Sequence, residues 1–145
     1  MHTICSVSGI FQSIDLSRAS VHDVNYFKDI KGQIGDCTLI GDRGYLSSEI
    51  QLNLFETCNI RLDTPKKNNQ HNYKEQPYIF RISRKRIETI FSQLCDQFMI
   101  RRNCTKTFQG FKTRILSKIT ALTTIQYINK FIFGRNINNI KISII

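Results

Sequence analysis

An alternation of strand-like and helix-like segments between residues 37 and 65 constrains the fold more than any other feature of the sequence. Residues 37–40 form a short apolar run of strand formers, and the turn-forming residues 41–44, which include Asp42, follow directly. Residues 47–58 have a serine N-cap and helical apolar spacing, and residues 60–65 predict a second strand that proline ends. This order indicates an α/β layer fold that delivers Asp42 at the end of a buried strand.

The remainder of the chain adds strands before this segment and helices after it. Apolar and polar residues alternate near the N-terminus, whereas apolar residues recur at helical spacing after residue 80. We predict a hairpin over residues 1–7 and 10–16, a helix over 20–30 with Ser20 as N-cap and Asp23 in a capping box, a flexible loop or insertion over 66–77, helices over 81–102 and 111–128, and an Ile/Asn-rich tail over 134–145.

The formal net charge of +10 is concentrated in the C-terminal part of the chain. Residues 1–60 carry four Lys/Arg and seven Asp/Glu, a balance of −3, whereas residues 61–145 carry seventeen and four, a balance of +13. Lys and Arg side chains that neutralise phosphates release condensed counterions, so this charge favours a polyanion. Nucleic acid is the partner that the sequence predicts, and a solvated basic surface is the alternative.

The cysteines and histidines do not indicate a metal site. Five cysteines are present, without a C-x-x-C pair and without a histidine at zinc-ligand spacing.

The chain also has no run of about 18 apolar residues and no basic-then-apolar N-terminal signal. We therefore expect a cytoplasmic protein without a membrane partner.

Several stretches, taken together and in order, resemble the DDE transposases of bacterial insertion sequences, a group within the retroviral-integrase-like superfamily. The resemblance lies in Gly-Asp-Arg-Gly-Tyr at 41–45, Arg-Lys-Arg-Ile-Glu-Thr-Ile-Phe-Ser-Gln-Leu at 84–94, and the stretches 2–10, 19–23, 113–119 and 126–129. It implies a ribonuclease H-like mixed sheet flanked by helices over residues 1–133, with a helical C-terminal part.

The resemblance also implies the chemistry of DNA transposition, in which Mg²⁺-dependent DNA cleavage and strand transfer require three acidic residues. By position, Asp42 matches the second aspartate and Glu88 the glutamate of the family, with 45 residues between them. Both are implied as catalytic residues and as ligands of Mg²⁺, with Mn²⁺ as a substitute. The segment with the first aspartate is expected to lie before residue 1, so the chain is expected to be a truncated and inactive C-terminal portion of a transposase.

Basic residues on both sides of Glu88 are the candidates for contacts with transposon ends and target DNA. Cations at such positions neutralise phosphates next to the scissile bond and give affinity with little sequence dependence. The candidates are Arg43, Arg81, Arg84, Lys85, Arg86, Arg101, Arg102, Lys112 and Arg114. A homo-oligomer or an intact transposase is a further expected partner.

Structural roles are the alternatives for the two acidic residues. Asp42 is also suited to a turn, where its carboxylate accepts a hydrogen bond from the local backbone. Glu88 is also suited to an ion pair on its own helix, with Arg84 or Arg81. At the level of the whole chain, the alternatives are a non-catalytic module that binds DNA or a transposase, and a nuclease that recruits Asp15 or Asp63.

Overall fold

The computed structural model describes residues 1–17, 25–45, 47–66 and 75–141, which fall into two compact units. Met1–Ile4 and Gln12–Lys85 form the first unit, and Cys5–Phe11 and the residues from Arg86 onward form the second. The described elements are β1 (His2–Cys5), β2 (Phe11–Asp15), α1 (Tyr26–Ile30), β3 (Cys37–Ile40), α2 (Ser48–Cys58), β4 (Ile60–Asp63), α3 (Tyr78–Asp96) and α4 (Phe108–Phe131).

The first unit contains the predicted strand-helix-strand segment. Strands β3 and β4 pair in parallel, with Cys37 opposite Ile60 and Ile40 opposite Asp63. Helix α2 connects them and begins where the Ser47 side chain accepts a hydrogen bond from the Ile50 backbone N–H, which confirms the serine cap. A short helical connection of this kind is what two parallel neighbouring strands require.

The core of the first unit is built by α1, α2 and β4. Its fully or almost fully buried side chains are Tyr26, Phe27, Ile30, Leu54 and Ile60. Apolar side chains from β3 and from α2 pack around this cluster. Burial of this apolar area fixes α2 against the β3–β4 pair and therefore positions the residues at the end of each strand.

The sheet differs in one respect from the single mixed sheet that the resemblance implies. The predicted hairpin is present, because β1 and β2 pair across the turn in which the Ser6 backbone N–H donates to the Ile10 carbonyl at 2.8 Å. In the described residues, however, β1–β2 and β3–β4 are two separate two-stranded sheets. The α/β class is confirmed, and the ribonuclease H-like arrangement remains a prediction.

The second unit is mainly helical, as the C-terminal part was expected to be. Helix α4 begins after Thr107, whose hydroxyl accepts a hydrogen bond from the Gly110 backbone N–H at 3.1 Å. Its buried apolar residues are Ile115, Ile119 and Leu122, and two amides, Gln126 and Asn129, are also buried. Gln126 donates to the Gly9 carbonyl at 2.8 Å, so a polar side chain inside the unit has a partner.

The predicted end of the first long helix is wrong. Helix α3 ends at Asp96 rather than near residue 102, and Met99 then adopts a left-handed backbone with φ of 48°. The Ile100 backbone N–H returns to the Leu94 carbonyl, and the Ile100 side chain is buried. Lys118 donates to the Met99 carbonyl at 2.7 Å, so a residue of α4 stabilises the turn that ends α3.

Three other predicted segments lie partly outside the described residues. The helix predicted over 20–30 is observed as Tyr26–Ile30, and its capping residues Ser20 and Asp23 lie outside the described residues. Most of the predicted loop, 67–74, also lies outside them. The described part of the tail, up to Lys141, contains turns and no strand, and Ile140 within it is buried.

We expect the stability of the first unit to decline at alkaline pH because of Tyr26. Burial raises the pKa of the Tyr26 phenol, its hydrogen bond to Ser13 at 2.8 Å lowers it, and the carboxylates of Asp15 and Asp29 raise it further. An unfolded tyrosine ionises near pH about 10, whereas folded Tyr26 stays neutral to higher pH. The unfolded state therefore loses its proton first, and stability that is complete below about pH 10 is lost as the pH rises through the folded pKa.

Urea denaturation at a series of pH values from about 8 to 11 measures this effect. Tyr26→Phe is expected to give a flatter decline of the unfolding free energy than the wild type. Tyr78→Phe removes a hydroxyl from an exposed ring and serves as the control. Equal slopes for the wild type and Tyr26→Phe would show that Tyr26 is not responsible.

Candidate functional site

Asp42 lies where the sequence predicts it, at the carboxyl end of the parallel β3–β4 pair. The Gly41 backbone N–H donates to the Asp63 carbonyl at 2.9 Å, which continues the pairing to the residue before Asp42. A short 3-10 turn, Arg43–Tyr45, follows. The carboxyl ends of parallel strands are a common location for ligand sites in open α/β sheets, because backbone turns there present side chains at one edge.

The aromatic residue of the Gly-Asp-Arg-Gly-Tyr motif anchors this turn. Tyr45 lies edge-on to Phe27, with 5.2 Å between ring centroids, and its hydroxyl is 2.9 Å from the His2 Nδ1. The Tyr45 backbone N–H also donates to the Asp42 carbonyl at 3.1 Å. Tyr45 therefore connects the turn to the core of the first unit, which restricts the positions that Asp42 can adopt.

The Asp42 carboxylate is exposed and has two cationic or N–H partners in the described residues. Its Oδ1 accepts a hydrogen bond from the Arg43 backbone N–H at 2.7 Å and is 3.5 Å from the Arg84 guanidinium. Its side chain is 71% exposed. The hydrogen bond to the local backbone, which the structural role of Asp42 in a turn predicts, is thus present. Oδ2 makes no hydrogen bond or ion pair among the described residues.

The ion pair with Arg84 is the feature that the sequence did not reveal. Arg84 was predicted to contact phosphate, yet its guanidinium lies beside Asp42, 42 residues away. Exposed ion pairs typically contribute about 0–1 kcal/mol to stability. A ligand that binds Asp42 or Arg84 more strongly can therefore break this ion pair. The only sequence signal was the basic character of the start of α3, which many unrelated helices share.

Glu88 follows Arg84 by one helical turn and is exposed. The ion pairs predicted as its alternative role are not seen in the described residues, since Arg84 pairs with Asp42 and Arg81 pairs with Glu75 at 3.2 Å. Arg81, Arg84, Lys85 and Glu88 recur at helical spacing and so share one face of α3. Asp42 belongs to the first unit and Glu88 to the second, so their joint binding of a metal stays a prediction.

The two other carboxylates considered as substitutes lie at strand ends. Asp63 ends β4 at the same edge as Asp42, but its Oδ1 accepts a hydrogen bond from the Gln76 side chain at 2.5 Å. Asp15 ends β2, in the other sheet. No group of three or more His, Cys, Asp or Glu side chains suited to a metal occurs among the residues that the structure describes.

The remaining candidate DNA contacts belong to the second unit and differ in their surroundings. Burial raises the pKa of the Cys5 thiol, and the positive charge of Arg86 lowers it by a smaller amount. Lys112 lies over the Phe108 ring, 5.0 Å from its centroid. Arg101, Arg102 and Arg114 are exposed. Exposed cations of this kind are available to phosphates without a loss of packing.

Within the described residues, no helix combines the length and the apolar composition that a membrane span needs. All five cysteines are free thiols.

Comparison with known protein families identifies a match that covers most of the chain. The family described as "Transposase DDE domain" matches residues 1–124, which include Asp42, Glu88 and the whole of α3. No curated protein and no solved structure matches the chain. The family match covers most of the 145 residues and includes the strand-helix-strand segment and the basic helix from which the resemblance was inferred. The chain therefore belongs to the transposase DDE domain family.

Proposed function

We propose that the chain provides two metal ligands and a DNA-binding surface for the Mg²⁺-dependent DNA cleavage and strand transfer of a transposase. The observation that carries this proposal is the exposed Asp42 carboxylate at the carboxyl end of parallel β3 and β4, beside the Arg43 backbone N–H and the Arg84 guanidinium. The family match supports the transposase activity in general. Asp42 takes the role of the second aspartate, and Glu88 takes that of the glutamate.

The chemistry of Asp42 fits a hard divalent cation. Mg²⁺ prefers carboxylate and water oxygens and is commonly held by one or two carboxylates together with substrate phosphates. The Asp42 Oδ2, which makes no hydrogen bond or ion pair among the described residues, is suited to such a role. When bound, the metal supplies activation of the attacking oxygen and stabilisation of the leaving oxygen.

The basic residues hold the DNA in this proposal. Arg43, Arg81, Arg84 and Lys85 lie in the same unit as Asp42, and Arg84 is already beside its carboxylate. A DNA phosphate beside Asp42 would replace the Asp42 carboxylate as the partner of the Arg84 guanidinium, since bidentate contacts with phosphate are favourable. Arg84 therefore changes partner from Asp42 to DNA as the complex forms.

We further propose that these 145 residues do not cleave DNA by themselves. The family requires three acidic residues, and only Asp42 and Glu88 match its pattern here. Within this proposal, residues 1–133 form the ribonuclease H-like part, residues 134–145 form a tail, and the protein acts on DNA in the cytoplasm. A homo-oligomer or an intact transposase is the proposed protein partner.

A Mn²⁺ titration tests the metal proposal. Electron paramagnetic resonance measures the concentration of free Mn²⁺ at each step and therefore gives the affinity of the protein for the ion. Asp42→Asn and Glu88→Gln are each expected to weaken Mn²⁺ binding by at least about tenfold, because each removes a charged oxygen ligand. Arg84→Gln is expected to act in the opposite direction and to strengthen binding by up to about fivefold, because it removes a competing cation. Glu49→Gln, an exposed change in α2, is the control.

Unchanged Mn²⁺ affinity in Asp42→Asn would contradict the metal proposal. Mg²⁺-dependent nicking of duplex DNA by the purified chain, lost in Asp42→Asn, would contradict the proposed inactivity. Nicking that persists in Asp42→Asn but is lost in Asp63→Asn or Asp15→Asn would favour the nuclease alternative. DNA binding that weakens with salt, without Mn²⁺ binding at Asp42, would favour the non-catalytic module, for which the charge balance of residues 61–145 is the observation.

A further inference from the structure

Three aromatic rings stand exposed at the end of α4 and in the turn that follows. Tyr127 is 59% exposed, Phe131 is 64% exposed and Phe133 is 62% exposed. Tyr127 and Phe131 are one helical turn apart, and their ring centroids are 4.8 Å from each other. Aromatic rings usually bury most of their surface, so a cluster of exposed rings indicates a binding surface more strongly than a single one does.

Cations accompany two of these rings. The Lys130 ammonium lies 5.3 Å from the Phe131 centroid, and the Arg135 guanidinium lies 4.8 Å from the Phe133 centroid. No acidic residue follows Asp96 in the sequence, so the residues next to these cations along the chain carry no negative side chain. We refer to Tyr127, Lys130, Phe131, Phe133 and Arg135 as the α4-end patch.

Hydrogen bonds hold the α4-end patch in a defined geometry. The Arg135 backbone N–H donates to the Asn129 carbonyl at 2.8 Å, and the Arg135 Nε donates to the Asn129 Oδ1 at 2.6 Å. The Phe133 backbone N–H donates to the Ile128 carbonyl at 3.1 Å. Since the turn is tied to the helix by these bonds, the backbone that carries Phe133 and Arg135 loses little conformational freedom when a ligand binds.

The chemistry of the α4-end patch selects one kind of occupant. A second copy of the chain, docked through the same patch, would bring two positively charged patches together, which like-charge repulsion disfavours. A flat apolar partner would leave both cations without a counter-charge. Single-stranded nucleic acid can interact with both the rings and the cations, because its bases stack on aromatic side chains and its phosphates attract Lys and Arg.

We propose that the α4-end patch binds single-stranded DNA by base stacking. The choice of DNA over RNA rests on the proposed function, whereas stacking on these rings does not depend on Asp42 or on a metal. The bases stack on Tyr127, Phe131 and Phe133, and Lys130 and Arg135 contact the phosphates between them. Duplex DNA gains only the phosphate contacts, since its bases are already stacked on one another.

Fluorescence anisotropy of a labelled oligothymidylate of about 16 nucleotides, near the upper site size for such surfaces, tests the proposal. Phe131→Ala and Tyr127→Ala are each expected to raise the Kd for the single strand by about 5- to 100-fold. The Kd for a duplex of the same length is expected to change by less than about twofold, because its affinity is electrostatic. Leu116→Ala, an exposed apolar change on α4 away from the patch, is the matched control.

Conservative variants separate stacking from apolar contact. Phe131→Tyr keeps a stacking ring and is expected to bind the single strand within about twofold of the wild type, whereas Phe131→Leu keeps apolar area and is expected to bind as weakly as Phe131→Ala. Phe131→Ala is expected to leave Mn²⁺ binding at the wild-type value, because Phe131 and Asp42 belong to different units, so failure of the metal proposal and failure of this one give different results.

Four outcomes would overturn the proposal. The first is an equal loss of affinity for the single strand and the duplex in the alanine variants, and the second is wild-type affinity for the single strand in Phe131→Ala. The third is a dimer in sedimentation that Phe131→Ala dissociates. The fourth is an oligouridylate RNA that binds about tenfold more tightly than the DNA through the same rings.

Discussion

Shortening Leu54 to alanine is expected to lower the free energy of unfolding of the first unit by about 3 kcal/mol, within the range of about 2–5 kcal/mol for buried leucines. Leu54 has no exposed surface and packs in the core with Phe27, Ile30 and Ile60. The substitution removes apolar contacts and leaves a cavity between α2 and the β3–β4 pair. Because this packing positions the end of β3, we also expect Mn²⁺ binding at Asp42 to weaken.

Chemical denaturation followed by circular dichroism measures the change in stability. Leu52→Ala is the matched control, since it is the same chemical change in the same helix at a side chain that is 59% exposed. We expect the control to change the free energy of unfolding by less than about 0.5 kcal/mol. Similar losses for the two variants would show that α2 does not pack through the face that contains Leu54.

Replacing Asn129 by alanine is expected to destabilise the second unit by about 3 kcal/mol, because it removes several buried hydrogen bonds at once. Asn129 has no exposed surface. Its amide donates to the Ile137 carbonyl at 3.3 Å and to the Asn139 carbonyl at 2.8 Å, and its Oδ1 accepts from Arg135 at 2.6 Å. Without these bonds, the turn after α4 keeps only its backbone hydrogen bonds to the helix, and the Ile137 and Asn139 carbonyls lose their partner.

Two further variants define the origin of this effect, again by denaturation and circular dichroism. Asn139→Ala keeps the backbone carbonyl that Asn129 uses and removes only an exposed side chain, so we expect little change. Asn129→Asp keeps an acceptor for Arg135 but loses both amide donors, so we expect a loss of stability despite the ion pair that the new carboxylate forms with Arg135. Wild-type stability in Asn129→Asp would show that the amide donors contribute little.

The prediction of the fold succeeded where the information was local. The apolar run at 37–40, the serine cap of α2 and the helical spacing of Ile90 and Leu94 each depend on neighbours within a few residues. Strand and helix periodicity arise from the geometry of one segment. For this reason the order of the elements, the α/β class and the location of Asp42 after β3 were all predicted correctly.

The end of α3 shows where local information fails. The apolar pattern continues to Phe98 and Ile100, which is why the sequence predicted a helix to residue 102. The chain instead turns at Met99, where Lys118 of α4 donates to the carbonyl. The residue that stabilises the turn lies 19 positions away, so no window of the sequence around α3 contains the signal.

The buried amides of α4 show the same limit for the core. The predicted apolar stripe does not include Gln126 and Asn129, because their side chains are polar, yet both are buried on the face of α4 that contains Leu122. Gln126 is bonded to the Gly9 carbonyl, which is 117 residues away, and Asn129 to carbonyls of the following turn. A polar side chain is stable inside a protein only when its partners are present, and those partners are brought together by folding.

The sequence by itself determined the family, the chemistry of the candidate residues and the separation of charge along the chain, because motifs and composition are properties of the order of residues. Only the tertiary structure decided that Arg84 pairs with Asp42, that Tyr45 anchors the turn, and that the rings at the end of α4 stay exposed. The physical reason is that each of these features depends on distances between residues far apart in the sequence, or on which surfaces remain uncovered, and packing fixes both.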